Sequence, residues 1–116
     1  MCGVGEEMIS DDRLTKALQY LADTDESCAK ARGLLAGLER QEKTVKAIAL
    51  LETSGQKLTI SEREAVAYSS SAYREHTQKI ADATTDYETM RNRRLTAEMI
   101  VEVWRSMNAN RRRGNV

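Results

Sequence analysis

The sequence predicts an all-α protein, an antiparallel helical hairpin with a short N-terminal helix and one very long C-terminal helix, about residues 62 to 108, in coiled-coil-like packing. The 116-residue chain has no proline, and 31% of its residues are charged, a composition typical of helices with solvated outer faces. Apolar residues recur in heptads over two long stretches, and a glycine-containing loop separates them. We expect a flexible lead-in over residues 1 to 10, a single helical domain over 11 to 110 and a basic tail over 111 to 116.

The long C-terminal helix is predicted by a heptad pattern that continues for nearly six repeats. No glycine or proline interrupts residues 62 to 108, and at about 1.5 Å per residue such a helix is roughly 70 Å long. A helix of this length needs partners along it, because packing supplies most helical stability. The seam positions are Val66, Ser69, Tyr73, His76, Ile80, Ala83, Tyr87, Met90, Arg94, Ala97, Val101 and Trp104.

Two helices are predicted before the loop, over about residues 11 to 22 and 25 to 52. Asp23 and Glu26, three residues apart, match a reciprocal capping pattern, so the chain either bends there or starts a new helix. The second helix carries a heptad seam of its own. Its seam positions are Ala31, Leu34, Leu38, Gln41, Val45 and Ile48, with Leu35 and Ala49 on their flanks.

A tight loop over residues 53 to 60 is predicted to join the two seam-bearing helices. Gly55 provides a helix stop, and Ser61 with Glu64 forms a capping box that starts the long helix. Helices joined by so short a loop run antiparallel. The expected register pairs Ile48 with Val66, Gln41 with Tyr73 and Leu34 with Ile80.

The second helix is too short to cover the whole long helix and reaches only to about residue 89. In one solution the first helix continues in the same direction and lies against residues 93 to 100. In the other, a second chain covers the overhang. We expect both, and therefore a homodimer or a higher homo-oligomer. The covering residues of the first solution are Leu14, Leu18 and Leu21, and the predicted oligomer interface is Met90, Ile100, Val101, Trp104 and Met107.

Besides Ser69 and the tyrosines, three polar residues occupy seam positions, where polar groups commonly fix register or partner number. His76, the one histidine of the chain, is expected to be a hydrogen-bonded or register-setting seam residue. Gln41 and Arg94 are the other two. For Arg94 two interpretations stay open: it pairs with an acid such as Asp11 or Asp12, or its side chain extends to water.

The formal net charge is zero, but the two ends of the chain are opposite in sign. Residues 1 to 28 contain seven acids and two bases, whereas residues 91 to 116 contain two acids and seven bases. Either the basic end binds nucleic acid, with Tyr87 and Trp104 adding base stacking, or the ends neutralise each other. The candidate nucleic-acid-binding residues are Arg91, Arg93, Arg94, Arg105, Arg111, Arg112 and Arg113.

No catalytic, metal or cofactor site is predicted. One histidine and two distant cysteines, Cys2 and Cys28, give neither a metal-ligand spacing nor a structural disulfide. No apolar run approaches the length of a membrane span, and no signal peptide precedes the helices. We expect a non-enzymatic cytoplasmic protein with no cofactor, no membrane contact and no small-molecule substrate.

The closing stretch, YREHTQKIADATTDYETMRNRRLTAEMIVEVWRSMNANRRRGNV, resembles small helical proteins encoded by tailed bacteriophages and prophages. The resemblance covers roughly residues 11 to 116 and rests on the helical pattern, Trp104 and the Arg-rich ending. It implies an early gene cluster for DNA recombination, replication or interference with the host. The first hypothesis is an oligomeric phage accessory protein that binds protein, DNA or both. The alternative is an inhibitor that blocks a host nuclease or defence complex.

Overall fold

The computed structural model describes residues 9 to 114, and all the regular elements within that range are helices. Helix α1 spans Asp11–Leu51, helix α2 spans Ile60–Ser69 and helix α3 spans Ser71–Gly114. The predicted all-α class is therefore confirmed, with a long C-terminal helix. Most of the predicted lead-in, residues 1 to 8, and the last two residues of the predicted tail lie outside the described range.

The chain divides into two compact units. We call Met1–Ala29 with Glu88–Val116 the terminal unit, and Lys30–Tyr87 the hairpin unit. Each unit contains a segment of α1 and a segment of α3, and the hairpin unit also contains the loop and α2.

Helix α1 is a single helix of 41 residues, so the predicted junction between Asp23 and Glu26 is wrong. The Asp23 side chain, which suggested a cap, is engaged along the helix instead, as is its neighbour Thr24. The Gln19 amide donates to Asp23 Oδ1 at 2.8 Å, four residues on, and the Thr24 hydroxyl donates to the Tyr20 carbonyl at 2.7 Å. When such side chains form hydrogen bonds within the helix, they do not compete with its backbone, and the helix continues.

One uninterrupted helix has one heptad phase, and this corrects the seam predicted for α1. Leu34 is 60% exposed and Ile48 is 52% exposed, and Gln41 is exposed as well, whereas Leu35 is half-buried and Ala49 is buried. The predicted seam is therefore right at Ala31, Leu38 and Val45, but the flanking residues Leu35 and Ala49 replace Leu34 and Ile48. Ten buried or half-buried positions fall on one heptad pattern with steps of three and four residues, interrupted at the exposed Glu42: Leu14, Ala17, Leu21, Thr24, Cys28, Ala31, Leu35, Leu38, Val45 and Ala49.

The loop contains the predicted glycine, but α2 begins two residues earlier than expected. Gly55 has a φ of +86°, a conformation that glycine adopts without strain. The N-cap is Thr59, whose side chain accepts a hydrogen bond from the Glu62 backbone N–H at 3.2 Å, so the predicted cap at Ser61 is wrong. Thr59 and Glu62 have the same spacing as Ser61 and Glu64, so the sequence contains two overlapping capping signals.

The predicted long helix is divided at Ser70. This residue has an extended backbone, with φ −63° and ψ 148°, and its hydroxyl accepts from the Tyr73 N–H at 3.3 Å, which caps α3. Serine hydroxyls compete with helical backbone hydrogen bonds, and three serines occur in succession here. The break also shifts the seam by one residue, because Ala67 is fully buried and the predicted seam residue Val66 is exposed.

Beyond the break, α3 has the seam that its heptads predict. Every predicted position from Tyr73 to Trp104 is buried or half-buried, with His76, Ala83 and Ala97 the most enclosed. The helix continues to Gly114, past the predicted end at residue 108. Apart from Ile9, the buried apolar residues of the described chain are all alanines, so the core is thin, as expected.

Candidate interaction surfaces

Arg94 connects the two helices of the terminal unit. Its guanidinium donates to the Leu21 carbonyl and to the Thr24 hydroxyl at 2.8 Å each, and to Asp25 Oδ1 at 3.2 Å. The Arg94 side chain is 18% exposed, whereas that of Asp25 is 82% exposed. The interpretation that Arg94 pairs with an acid on α1 is confirmed, but that acid is Asp25 and not Asp11 or Asp12.

Trp104 provides a second polar contact in the terminal unit. Its indole N–H donates to Asp11 Oδ1 at 3.4 Å, a long hydrogen bond, and the residue is half-buried. Together with the Arg94 contacts, this hydrogen bond orients α1 and α3 antiparallel within one chain. The first helix therefore covers the overhang in cis, as one of the two predicted solutions requires.

His76 is a polar seam residue of the hairpin unit, as Arg94 is of the terminal unit. It is buried, and its Nε2 lies 2.7 Å from the carbonyl oxygen of Leu38. A carbonyl oxygen only accepts hydrogen bonds, so Nε2 carries the proton and donates it. The predicted role as a hydrogen-bonded seam histidine is confirmed.

A cluster of aromatic and charged side chains lies near His76 in the hairpin unit. The Tyr73 hydroxyl donates to Glu42 Oε1 at 2.9 Å, and the rings of Tyr68 and Tyr73 meet edge to face at 5.0 Å. Lys46 lies over the Tyr68 ring at 4.6 Å. The hydrogen bond to Glu42 raises the pKa of Tyr73, and the interaction with Tyr68 raises the pKa of Lys46.

The terminal unit contains a groove of about 350 Å³ that has an apolar floor and a basic rim. We call it the terminal groove. All the charged side chains that line it are basic. Lys16 pairs with Asp12 at 3.0 Å, in an ion pair whose two side chains are about three-quarters exposed. Its lining residues are Arg13, Lys16, Ala17, Tyr20, Arg93, Thr96, Ala97 and Ile100.

The hairpin unit contains a larger groove, of about 520 Å³, where α1 ends and α2 begins. We call it the loop groove. Leu51 is 70% exposed and Ile60 is 80% exposed, the two highest values among the exposed large apolar side chains. Its charged lining residues are one base, Arg63, and one acid, Glu64. The other lining residues are Ala47, Leu50, Leu51, Ser54 and Ile60.

The predicted nucleic-acid-binding residues occupy different environments. Arg94 is engaged with α1, as described above. Arg91 pairs with Glu88 at 3.4 Å and Arg105 pairs with Glu102 at 3.2 Å, each three residues apart on the exposed surface of α3. Of the rest, Arg93 lines the terminal groove, and Arg111, Arg112 and Arg113 are exposed in the last turn of α3.

The residues predicted for the oligomer interface are all half-buried within a single chain, and Ile100 lines the terminal groove. Their role in assembly stays a prediction. Sequence reasoning did not identify Leu51 and Ile60 as surface features, because the heptad pattern stops at the loop that both residues adjoin. The predicted interface residues are Met90, Ile100, Val101, Trp104 and Met107.

Compared with protein-family models, with curated proteins and with solved structures, the chain matches none of them. The resemblance to phage proteins therefore stays a prediction. Within residues 9 to 114, no group of three histidine, cysteine, aspartate or glutamate side chains is placed to hold a metal ion. None of the described helices is long and apolar enough to cross a membrane.

Proposed function

We propose that this chain is a non-enzymatic protein-binding module whose terminal groove receives an amphipathic helix with acidic side chains. The single observation that supports the proposal is the combination of an apolar floor and an entirely basic set of charged lining residues in one groove. An amphipathic helix that lies in an apolar groove is a recurring mode of peptide recognition.

The floor of the groove supplies the affinity in this proposal. The groove is lined by two small, buried seam residues, Ala17 and Ala97. The larger side chains of Tyr20 and Ile100 line it as well. Apolar surface removed from water contributes roughly 25 cal/mol per Å², so leucine-sized side chains entering the groove would be stabilised there.

The rim supplies the specificity. The Arg93 side chain makes no hydrogen bond or ion pair within the described residues. The Lys16–Asp12 pair is exposed, and such pairs contribute about 0 to 1 kcal/mol. At Arg93 and Lys16, an incoming carboxylate therefore competes with little. A second copy of the same groove is a poor occupant, because two identical basic rims would face each other across a two-fold axis.

A binding titration with designed peptides tests this proposal. The probe is a fluorescently labelled amphipathic peptide of about 20 residues, with leucines at helical spacing and glutamates on its other positions. The control peptide has lysine in place of every glutamate. We expect the acidic peptide to bind and the basic one to bind at least tenfold more weakly. Equal affinity for the two peptides would remove the basis of the proposal.

Two variants locate the site. Arg93→Glu reverses a charge on the terminal groove, and we expect it to weaken binding of the acidic peptide at least tenfold. The matched control, Arg74→Glu, makes the same change at an exposed position of the hairpin unit and should leave the affinity unchanged. Peptide binding that both variants weaken equally would indicate general charge attraction and no defined site.

The roles implied by the phage resemblance are particular cases of this proposal. An accessory protein of recombination or replication and an inhibitor of a host nuclease or defence complex would each act by binding another protein in the cytoplasm. Capture from a nuclease-treated lysate distinguishes them from a DNA-binding role, because a protein-binding module should retain one stoichiometric protein that Arg93→Glu releases.

A second candidate function, DNA binding, is favoured by the exposed Arg111, Arg112 and Arg113 in the last turn of α3. Such side chains neutralise phosphates without reading bases, and their binding falls steeply with salt. A mobility-shift titration of labelled single- and double-stranded DNA tests it. Replacing all three arginines by alanine should abolish a shift seen at low salt, and no shift for the unmodified chain would exclude this function.

A further inference from the structure

Exposed apolar side chains are concentrated in the hairpin unit near the loop. Of nine exposed large apolar side chains among the described residues, five lie between residues 48 and 68. Leu51 and Ile60 both line the loop groove, together with Ala47 and Leu50. Clustered apolar side chains on a soluble surface commonly mark a site of protein contact.

The charges of the loop groove are balanced, unlike those of the terminal groove. Arg63 and Glu64 are adjacent in the chain and both line the groove. The Arg63 guanidinium makes one long hydrogen bond, 3.5 Å to the Gln56 carbonyl. Glu64 interacts electrostatically with Lys46 but makes no hydrogen bond or ion pair in the described part of the chain. Both charged groups can therefore turn toward a partner.

A surface with one base and one acid beside an apolar floor is complementary to itself. In a contact with two-fold symmetry the same patch of each subunit meets its copy, so residue i faces residue j and residue j faces residue i. Arg63 of each chain then faces Glu64 of the other, and Leu51 and Ile60 of the two chains cover each other. We propose that the loop groove is a self-association surface and that its occupant is the loop groove of a second copy of this chain.

This proposal does not depend on the proposed function, because the two grooves lie in different units and differ in charge. It does change where the predicted homo-oligomer is held together. The contact lies at the loop, and the predicted interface residues near Trp104 remain part of the terminal unit of each chain.

Sedimentation equilibrium over a range of concentrations tests the apolar part of the contact. We expect the unmodified chain to show a reversible monomer–dimer equilibrium, and Ile60→Glu to raise the dissociation constant at least tenfold. Ile60 is so exposed that this change should not unfold the chain, which circular dichroism checks. The matched control is Met99→Glu, the same type of change at a 66% exposed position of the terminal unit, and it should dimerise normally.

Charge reversal tests the geometry. Arg63→Glu gives each chain two acids in the groove, and Glu64→Arg gives each chain two bases, so each variant alone should dimerise at least tenfold more weakly. An equimolar mixture of the two variants should recover a dimer that contains one chain of each. The double variant Arg63→Glu/Glu64→Arg should also recover it, because the paired charges are then exchanged.

Three results would overturn the inference. The unmodified chain could remain monomeric at every concentration, Ile60→Glu could dimerise as well as the unmodified chain, or the mixture of single variants could fail to associate. The peptide titration is repeated on the Ile60→Glu monomer, so a failure of self-association and a failure of the terminal groove are read separately.

Discussion

The terminal unit and the hairpin unit are built from segments of the same two helices, yet they use different polar contacts at the seam. In the terminal unit Arg94, a permanently charged side chain, reaches three acceptors on α1. In the hairpin unit the buried His76 ring makes one hydrogen bond, to the Leu38 carbonyl. The alanines beside them, Ala97 and Ala83, are equally buried. Both units thus bury alanines at the seam, and the polar contacts at the seam distinguish them.

The difference extends to the surfaces. The charged residues of the terminal groove are all basic, whereas those of the loop groove are Arg63 and Glu64. A basic rim favours an acidic partner of another kind, and a balanced pair favours a copy of itself. One chain with a thin core can thus present two surfaces for two kinds of partner.

The largest effect is expected from a charge placed in the seam of one unit. Ala97→Asp and Ala83→Asp each introduce a carboxylate without a partner at a buried position, at a cost of about 3 to 5 kcal/mol. Hydrogen exchange should show that Ala97→Asp removes protection mainly from the terminal unit and Ala83→Asp mainly from the hairpin unit. If both variants lost protection equally throughout the chain, the two units would not be separately stabilised by their own seams.

The next effect concerns Arg94. Arg94→Ala removes three hydrogen bonds made by a charged donor, and we expect the free energy of unfolding to fall by about 2 to 3 kcal/mol. Thermal denaturation should show a clear decrease in Tm. Arg91→Ala is the control, because it removes only an exposed pair with Glu88 and should change stability by less than about 1 kcal/mol. Similar Tm values for the two variants would contradict the special role of Arg94.

The seam of α3 could be predicted from the sequence because no competing phase exists there, from Tyr73 to Trp104. The seam of α1 could not, because Leu34 and Ile48 are as apolar as Leu35 and Ala49 and both phases fit the heptad rule. Because α1 is continuous from Leu14 onward, the heptads of its first part extend to Leu35 and Ala49 and exclude the phase of Leu34 and Ile48. The capping pattern at Asp23 concealed that continuity.

The candidate surfaces were harder to predict than the helices. The terminal groove combines Arg13 and Lys16 of α1 with Arg93 of α3, which are far apart in sequence. The charge count showed an acidic first segment and a basic last segment. It did not indicate which charged side chains lie together at the edge of one groove. The sequence likewise did not show that Arg94, unlike the other arginines, is engaged with α1, because that depends on the hydrogen-bond acceptors that α1 places near it.

A smaller effect is expected from Tyr73 in the hairpin unit. Its pKa is raised by the hydrogen bond to Glu42, so this contribution to stability is fully present below the unfolded-state pKa of about 10. It is lost as the pH rises through the higher folded-state pKa. Chemical denaturation of Tyr73→Phe should therefore show a small loss of stability at neutral pH and none in strong alkali. A pH-independent difference would exclude this hydrogen bond as the cause.

The most direct test of the difference between the two surfaces is a residue-resolved map of peptide binding. The acidic amphipathic peptide is titrated into the ¹⁵N-labelled Ile60→Glu monomer and followed by amide resonances. We expect shifts at Ala17, Tyr20 and Ile100, which line the terminal groove, and none at Leu51 or Arg63 of the loop groove. Shifts at the loop groove, or equal shifts in both units, would contradict the proposal that the two surfaces accept different partners.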